Sequence, residues 1–210
     1  MNSLILKDLI SLKSYGKTLA IILVFFSVMA YANNQPSYLS GMIILLMSML
    51  PITSFSYDHH AKWDLFSQTL PVSRKQSVMS KYVLGILTVG TGAIIATVLS
   101  IGVALMKSIE MDVAEYIIAN GLISLVAFVF LSILIPLIYH FGVEKSRMLM
   151  ILVMAIPTLI VIILTKAGVA LSNIDHISPM FMFAIGFVIV VFIMFISFAI
   201  SVRFYQKKDF

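Results

Sequence analysis

Residues 57–76 read YDHHAKWDLFSQTLPVSRKQ, the longest polar, charge-bearing segment between apolar runs that could each cross a membrane. On a helix, residues at spacings of three and four share a face. The first part of the segment thereby acquires one mixed face, made of His59, Trp63, Phe66 and Leu70. Asp58 and Lys62 lie one turn apart on another face, with the acid before the base, which favours an ion pair. The pattern predicts a short amphipathic helix that protrudes from the membrane and docks on a soluble partner.

The second part of the segment contains signals for a helix end and a helix start. Pro71 lacks the backbone N–H that a continuing helix needs, and it biases Leu70 towards extended geometry. Ser73 followed by Gln76 has the spacing of a capping box. We therefore expect a second helix to begin there and to enter the apolar stretch after Lys81. At 1.5 Å per residue, residues 73–82 would extend roughly 15 Å from the bilayer.

The composition indicates a membrane protein rather than a soluble domain. Of the 210 residues, 61% are hydrophobic and 11% are charged, and the charges fall in clusters between long neutral runs. Because a crossing needs about 20 apolar residues, the sequence predicts one all-α membrane domain, residues 1–210. It has six transmembrane helices, at 18–33, 38–56, 82–106, 117–140, 147–165 and 179–202. Residues 1–16 predict an amphipathic helix on the membrane surface, with Ile5, Leu9 and Leu12 on one face.

The basic residues predict the orientation. With the N-terminus in the cytoplasm, twelve of the fourteen Lys and Arg residues lie inside, and only Lys107 and Lys166 lie outside. Both termini are then cytoplasmic. The net charge of +5 reflects this bias, because no basic run with interleaved aromatics indicates nucleic-acid binding.

Several kinds of chemistry have no support in the sequence. No cysteine is present, so disulfides and thiolate chemistry are excluded. Adjacent His59 and His60 would point about 100° apart on a helix and do not suit one metal ion. The chain has no Gly-x-x-x-x-Gly-Lys-Ser/Thr loop, and its predicted crossings contain no paired polar groups. We expect no catalytic residue, no metal and no directly bound cofactor.

The predicted crossings also limit what the chain can move. No ionisable residue lies in their cores, which disfavours an ion-driven carrier. Walls rich in Met and Phe favour lipophilic or amphipathic cargo, with energy supplied by a partner. Pro51 is expected to kink the second crossing. Gly92, Ala96 and Ser100 form a small-residue ridge that suits packing either within one bundle or between subunits.

The segment from Trp63 to Tyr82 resembles a known family. Thr69-Leu70-Pro71-Val72-Ser73-Arg74, followed by Lys81-Tyr82, is similar to the Leu-Pro-x-Ser/Thr-Arg and Lys-Tyr elements of Gram-positive ABC-2-type exporter permeases. Within that family the chain most resembles the permeases of staphylococcal phenol-soluble-modulin exporters and their clostridial relatives. The resemblance implies a bacterial cell-membrane exporter. Cargo in this family ranges over amphipathic peptides, antibiotics and lipid-like molecules, and we favour peptide toxins or antimicrobial peptides.

The resemblance also implies partners and roles. Two permease copies, identical or different, would bind two copies of a separate ATPase, which holds ATP and Mg²⁺. Residues 57–72 would be the cytoplasmic coupling segment between helices 2 and 3, with Pro71 and Arg74 as its hinge. The residues that dock on the ATPase would be Asp58, His59, Lys62, Trp63, Phe66 and Leu70. The residues that bind cargo are not assigned.

A second function stays open on the sequence alone. A membrane sensor or immunity module that does not transport could bind the same peptides and recruit a regulator through residues 57–72. A neighbouring gene for an ATPase with a phosphate-binding loop would favour the exporter.

Overall fold

The computed structural model describes residues 2–67, 69–108, 112–166 and 178–207. Within these ranges the regular structure is entirely helical, which confirms the predicted all-α class. The helices are α1 (Asn2–Lys13), α2 (Gly16–Asn33), α3 (Pro36–Ser48), α4 (Leu50–His60), α5 (Trp63–Ser67), α6 (Arg74–Met106), α7 (Val113–Phe141), α8 (Val143–Lys166) and α9 (Pro179–Gln206).

Five stretches in the described residues are long and apolar enough to cross a membrane: Gly16–Asn33, Pro36–His60, Arg74–Met106, Tyr116–Phe141 and Pro179–Gln206. Five of the six predicted crossings lie within them. The remaining prediction, 147–165, lies within α8 but is not among the five. The side chains of α8 from residue 156 onwards lie outside the described residues.

The second crossing is interrupted where the sequence predicted a kink. α3 ends at Ser48 and α4 begins at Leu50, with Pro51 in the first turn of α4. Proline is tolerated there because the first backbone N–H groups of a helix have no intrahelical acceptor. α4 then continues beyond the apolar stretch to His60.

Most of the buried apolar core lies on α3, α4, α6 and α7, and α9 packs against α7 from outside. The ridge of Gly92, Ala96 and Ser100 is buried within the chain. A Cβ on Gly92 would lie 2.7 Å from the Cβ of Met47 in α3, so glycine permits a close approach of the two helices. The ridge therefore serves packing inside the bundle.

The face of α1 that packs against the bundle contains an acid. Leu4, Asp8 and Leu12 are buried, whereas Leu9 is exposed and Ile5 is half-buried. The interfacial face predicted from Ile5, Leu9 and Leu12 stays a prediction, and exposed Leu9 is free to meet the membrane surface. Asp8 turns inward because it finds a cationic partner in the bundle.

One end of the bundle contains both terminal segments. Lys81 near the start of α6 contacts Asp8 of α1. Arg74 in the first turn of α6 contacts the carbonyl of Gln206 at the end of α9. We call the region formed by α1, the last turn of α4, α5, the first turns of α6 and the last turn of α9 the polar end.

Candidate functional site

The segment predicted as one helix over residues 58–70 is divided in two. α4 ends at His60, Ala61 and Lys62 form a turn, and α5 covers only Trp63–Ser67. Lys62 has a φ of 48°, in the left-handed region that interrupts a right-handed helix. The predicted continuous face of His59, Trp63, Phe66 and Leu70 is therefore wrong.

Asp58 pairs with lysines distant in the sequence rather than with Lys62. Its carboxylate lies 2.6 Å from Nζ of Lys7 in α1 and 2.5 Å from Nζ of Lys81 in α6. The predicted pair with Lys62 is wrong, because Lys62 lies in the exposed turn after α4. Asp58 therefore ties three helices together and is not a free carboxylate for docking.

The two lysines and a second aspartate complete a compact group, which we call the four-charge cluster: Lys7, Asp8, Asp58 and Lys81. Nζ of Lys81 lies 2.9 Å from Oδ1 of Asp8, and Nζ of Lys7 lies 3.0 Å from the same oxygen. Each lysine thus touches both carboxylates, and the formal charges sum to zero. Such alternation compensates the loss of hydration that isolated buried ions would suffer.

Lys81 has its hydrogen-bonding capacity fully used. Besides the two carboxylates, its ammonium donates to Oγ of Ser54 in α4 at 2.8 Å. An ammonium has three protons to donate, and here three acceptors surround it. Oδ2 of Asp8, by contrast, is buried and has no hydrogen-bond partner among the described residues.

Trp63 lies against the four-charge cluster. Nζ of Lys7 lies 4.0 Å from the centroid of the indole ring, which is the geometry of a cation–π contact. The Phe66 ring lies 5.5 Å from the indole ring. Trp63 is half-buried, whereas Leu65 and Phe66 are 53% and 56% exposed. The exposed apolar surface of α5 is therefore the Leu65–Phe66 pair, and Leu65 was not among the predicted docking residues.

The other predicted docking residues occupy different settings. His59 and Lys62 are exposed, and Leu70 is half-buried in the turn after α5. Of the six predicted docking residues, three are exposed and three are half-buried. The exposed ones are His59, Lys62 and Phe66, and the half-buried ones are Asp58, Trp63 and Leu70.

The start of α6 is fixed in two ways. Ser73 and Gln76 form the predicted capping box: Oγ of Ser73 accepts from the Gln76 N–H at 3.2 Å, and Oε1 of Gln76 accepts from the Ser73 N–H at 3.1 Å. Arg74 donates to the carbonyls of Tyr205 and Gln206 at 3.1 and 2.7 Å. A cation is favourable there because the carbonyl end of a helix is partially negative. Of the two residues that the resemblance groups as a hinge, Arg74 is tied to α9, and Pro71 is exposed in the irregular segment before it.

Two further contacts link the polar end to other helices. Tyr205 Oη donates to Asp64 Oδ1 at 3.3 Å, which joins α9 to α5. Arg147 Nη2 donates to Ser56 Oγ at 2.7 Å, which joins α8 to α4. Neither contact was predicted. The sequence contains one signal for the four-charge cluster. Asp8 lies one helical turn from Leu4 and one from Leu12, so it shares their face of α1.

A group of hydroxyls joins α6 to α9 below the polar end. Tyr82 Oη shares hydrogen bonds with Ser197 Oγ at 2.5 Å and with Ser201 Oγ at 2.9 Å. Ser197 in turn donates to the carbonyl of Ser132 in α7. The Lys81-Tyr82 dipeptide therefore connects α6 to α1 and α4 through the lysine and to α9 through the tyrosine.

The chain matches a family model described as an ABC-2 family transporter protein over residues 3–206. It belongs to the ABC-2 transporter family. The match extends from α1 into the last turn of α9, so it includes the whole polar end. No curated protein and no solved structure matches the chain. The family and the apolar helices together make this a multi-pass membrane protein, the transmembrane component of an ABC transporter.

Proposed function

We propose that this ABC-2 protein is the permease subunit of an ATP-driven exporter of hydrophobic or amphipathic cargo, with amphipathic peptides as its main class. The observation that carries the proposal is α5. This short helix lies between two candidate membrane spans, Pro36–His60 and Arg74–Met106, and exposes Leu65 and Phe66 at the polar end. In a chain without a phosphate-binding loop, such a helix suits docking on a separate ATPase.

The topology that accompanies this proposal has six crossings and two cytoplasmic termini in a bacterial cell membrane. The contacts of α6 with both α1 and α9 support it, because terminal segments at one end of a bundle require an even number of crossings. α8 supplies the sixth crossing. The basic residues favour a cytoplasmic polar end.

The docking surface that we propose centres on Leu65 and Phe66, with exposed His59 and Lys62 beside them and half-buried Leu70 after α5. Buried aromatic anchors at interfaces often contribute 2 kcal/mol or more. Two ATPase copies, which hold ATP and Mg²⁺, and a second permease copy complete the proposed complex. Pro71 gives the segment after α5 a bend before the fixed start of α6.

The proposed cargo route is supported by an apolar cleft between α3, α7 and α8. Its volume is about 530 Å³, and none of the described residues that line it is charged. The lining includes Gly41, Ile44, Ser48, Phe130 and Val153. Apolar walls with few hydroxyls suit the apolar face of an amphipathic peptide. Similarity to the phenol-soluble-modulin exporters favours the same cargo class.

The test is reconstitution with an ABC ATPase of the same organism, taken from a neighbouring gene if one encodes it. We expect the two proteins to co-purify and a synthetic leucine–lysine amphipathic peptide to stimulate ATP hydrolysis in lipid nanodiscs. Phe66→Ala should raise the ATPase concentration for half-maximal hydrolysis about 30-fold, the equivalent of a 2 kcal/mol anchor.

Phe192→Ala is the matched control, because Phe192 is exposed on α9, and it should leave that concentration unchanged. If wild-type permease neither binds the ATPase nor responds to the peptide, the exporter proposal is wrong. Peptide binding without an ATPase would instead favour the sensor or immunity module.

A further inference from the structure

The four-charge cluster has one accessible member and two deeply buried members. The Lys7 side chain is 25% exposed, whereas those of Lys81 and Asp8 are 6% and 1% exposed. Lys7 is also the member that contacts Trp63 of α5. The cluster therefore has a buried side, between α1 and α6, and an outer side, between α1 and α5.

We propose that Lys7 and Trp63 form the link through which displacement of α5 reaches α1, while Asp8 and Lys81 hold α1 to α6 as a fixed point. The proposal rests on the docking of an ATPase on α5. It makes Trp63 and Lys7 positioning residues for transport, rather than anchors on the ATPase.

The geometry gives α1 a defined way to respond. Lys7 and Asp8 are adjacent, so their side chains leave α1 about 100° apart. If α5 moves and displaces Lys7 while Asp8 stays bound to Lys81, α1 rotates about its own axis around the Asp8–Lys81 contact. α1 is joined to α2 by a tight turn in which Tyr15 N–H donates to the Leu12 carbonyl at 2.9 Å. Rolling α1 therefore reorients the start of the first candidate membrane span.

The surroundings of Trp63 separate this role from docking. One face of the indole ring is occupied by Lys7, and Phe66 lies beside it. The ring is half-buried, whereas Leu65 and Phe66 present their side chains outward. An ATPase on α5 thus has the outer pair to contact, and Trp63 faces the permease.

A second connection from α5 runs to α9, through Asp64 and Tyr205. It gives the experiment an internal comparison, because Tyr205→Phe removes that hydrogen bond and leaves the contact between Lys7 and Trp63 intact. We expect Tyr205→Phe to retain peptide-stimulated hydrolysis.

The test titrates the ATPase into nanodisc-reconstituted permease, with the leucine–lysine peptide as the probe. Lys7→Met should lower the maximal peptide-stimulated rate about fivefold or more, within the range of typical coupling factors. The ATPase concentration for half-maximal hydrolysis should stay unchanged. Lys7→Arg should retain the rate, because a guanidinium keeps the charge and stacks on indole. Lys13→Met is the matched control, since Lys13 is exposed on the same helix.

Trp63→Leu provides a variant that leaves all four charges in place. It should reproduce the loss of stimulation seen with Lys7→Met, and the double variant should be no worse than either single one. If Trp63→Leu instead raises the half-maximal ATPase concentration, as Phe66→Ala is expected to do, Trp63 is a docking anchor and the link is wrong.

Equal stimulation in Lys7→Met and Lys13→Met would also overturn the link. A wild-type permease that fails to bind the ATPase is a distinct result, because it refutes the exporter proposal itself.

Discussion

Replacing Lys81 by methionine tests whether the four-charge cluster stabilises the bundle. Methionine keeps an unbranched apolar side chain in the buried site but removes the ammonium. Asp8 and Asp58 then share one cation, Lys7, and a net charge of −1 remains in a region where the side chain of Asp8 is 1% exposed. The change therefore isolates the effect of charge balance from that of packing.

The expected loss follows from the contacts that remain. Removing one partner of a buried ion pair commonly costs about 3–5 kcal/mol. Lys7 still lies 2.6 Å from Asp58 and 3.0 Å from Asp8, so we expect a loss near the lower end, about 3 kcal/mol. Adding Asp8→Asn restores neutrality, and the double variant should regain about 1–2 kcal/mol relative to Lys81→Met, as expected for coupled neighbours.

The assay is reversible unfolding by sodium dodecyl sulfate in mixed micelles. Trp63 is the only tryptophan in the sequence and lies 4.0 Å from Lys7, so its fluorescence reports on the polar end. Lys75→Met is the control, because Lys75 is exposed in the first turn of α6. It should change the free energy of unfolding by no more than about 0.5 kcal/mol.

The reasoning fails if Lys81→Met unfolds within about 0.5 kcal/mol of wild type, the range of ordinary surface substitutions. It also fails if the double variant is as unstable as the sum of its two single variants. The second outcome would show that Asp8 and Lys81 act independently, despite their 2.9 Å contact.

Three other changes test the packing and capping of α6. Gly92→Ala should destabilise the bundle by about 1–3 kcal/mol in the same unfolding assay, because a Cβ there lies 2.7 Å from Met47 Cβ. Gly90→Ala should be neutral or slightly stabilising, because a Cβ there meets no described atom beyond its own stretch of helix within 4 Å. Ser73→Ala should cost about 1 kcal/mol and speed hydrogen exchange in the first turn of α6, through loss of the cap. Tyr82→Phe, which removes hydrogen bonds to two serines of α9, should lower the unfolding free energy by about 1 kcal/mol.

Signals confined to a few neighbouring residues predicted the local structure well. The capping box at Ser73 and the interruption at Pro51 both depend on contacts within one helical turn. Hydrophobic length likewise located five of the predicted crossings. Backbone geometry and the apolar content of a continuous stretch determine these features. Both can be read from neighbouring residues in the sequence.

Features that depend on distant partners were missed. The pattern favoured a pair between Asp58 and Lys62 and a helix through residues 58–70. Asp58 instead binds Lys7, 51 residues away in sequence. The helix is interrupted at Lys62, and α5 then packs Trp63 on Lys7. Periodicity within one helix cannot show which charge from another helix will satisfy a buried carboxylate. Only the tertiary arrangement decides whether Asp58 pairs with nearby Lys62 or with Lys7 and Lys81.

The contact between Asp8 and Lys81 has a consequence for how this family diverges. The two positions are 73 residues apart, and loss of either charge alone leaves an uncompensated ion among α1, α4 and α6. Substitutions there should consequently be inherited as pairs: a lineage that replaces the aspartate by a neutral side chain should also replace the lysine. In an alignment of homologous permeases, the residues at positions 8 and 81 should covary. The residue at exposed position 75 should vary independently of them.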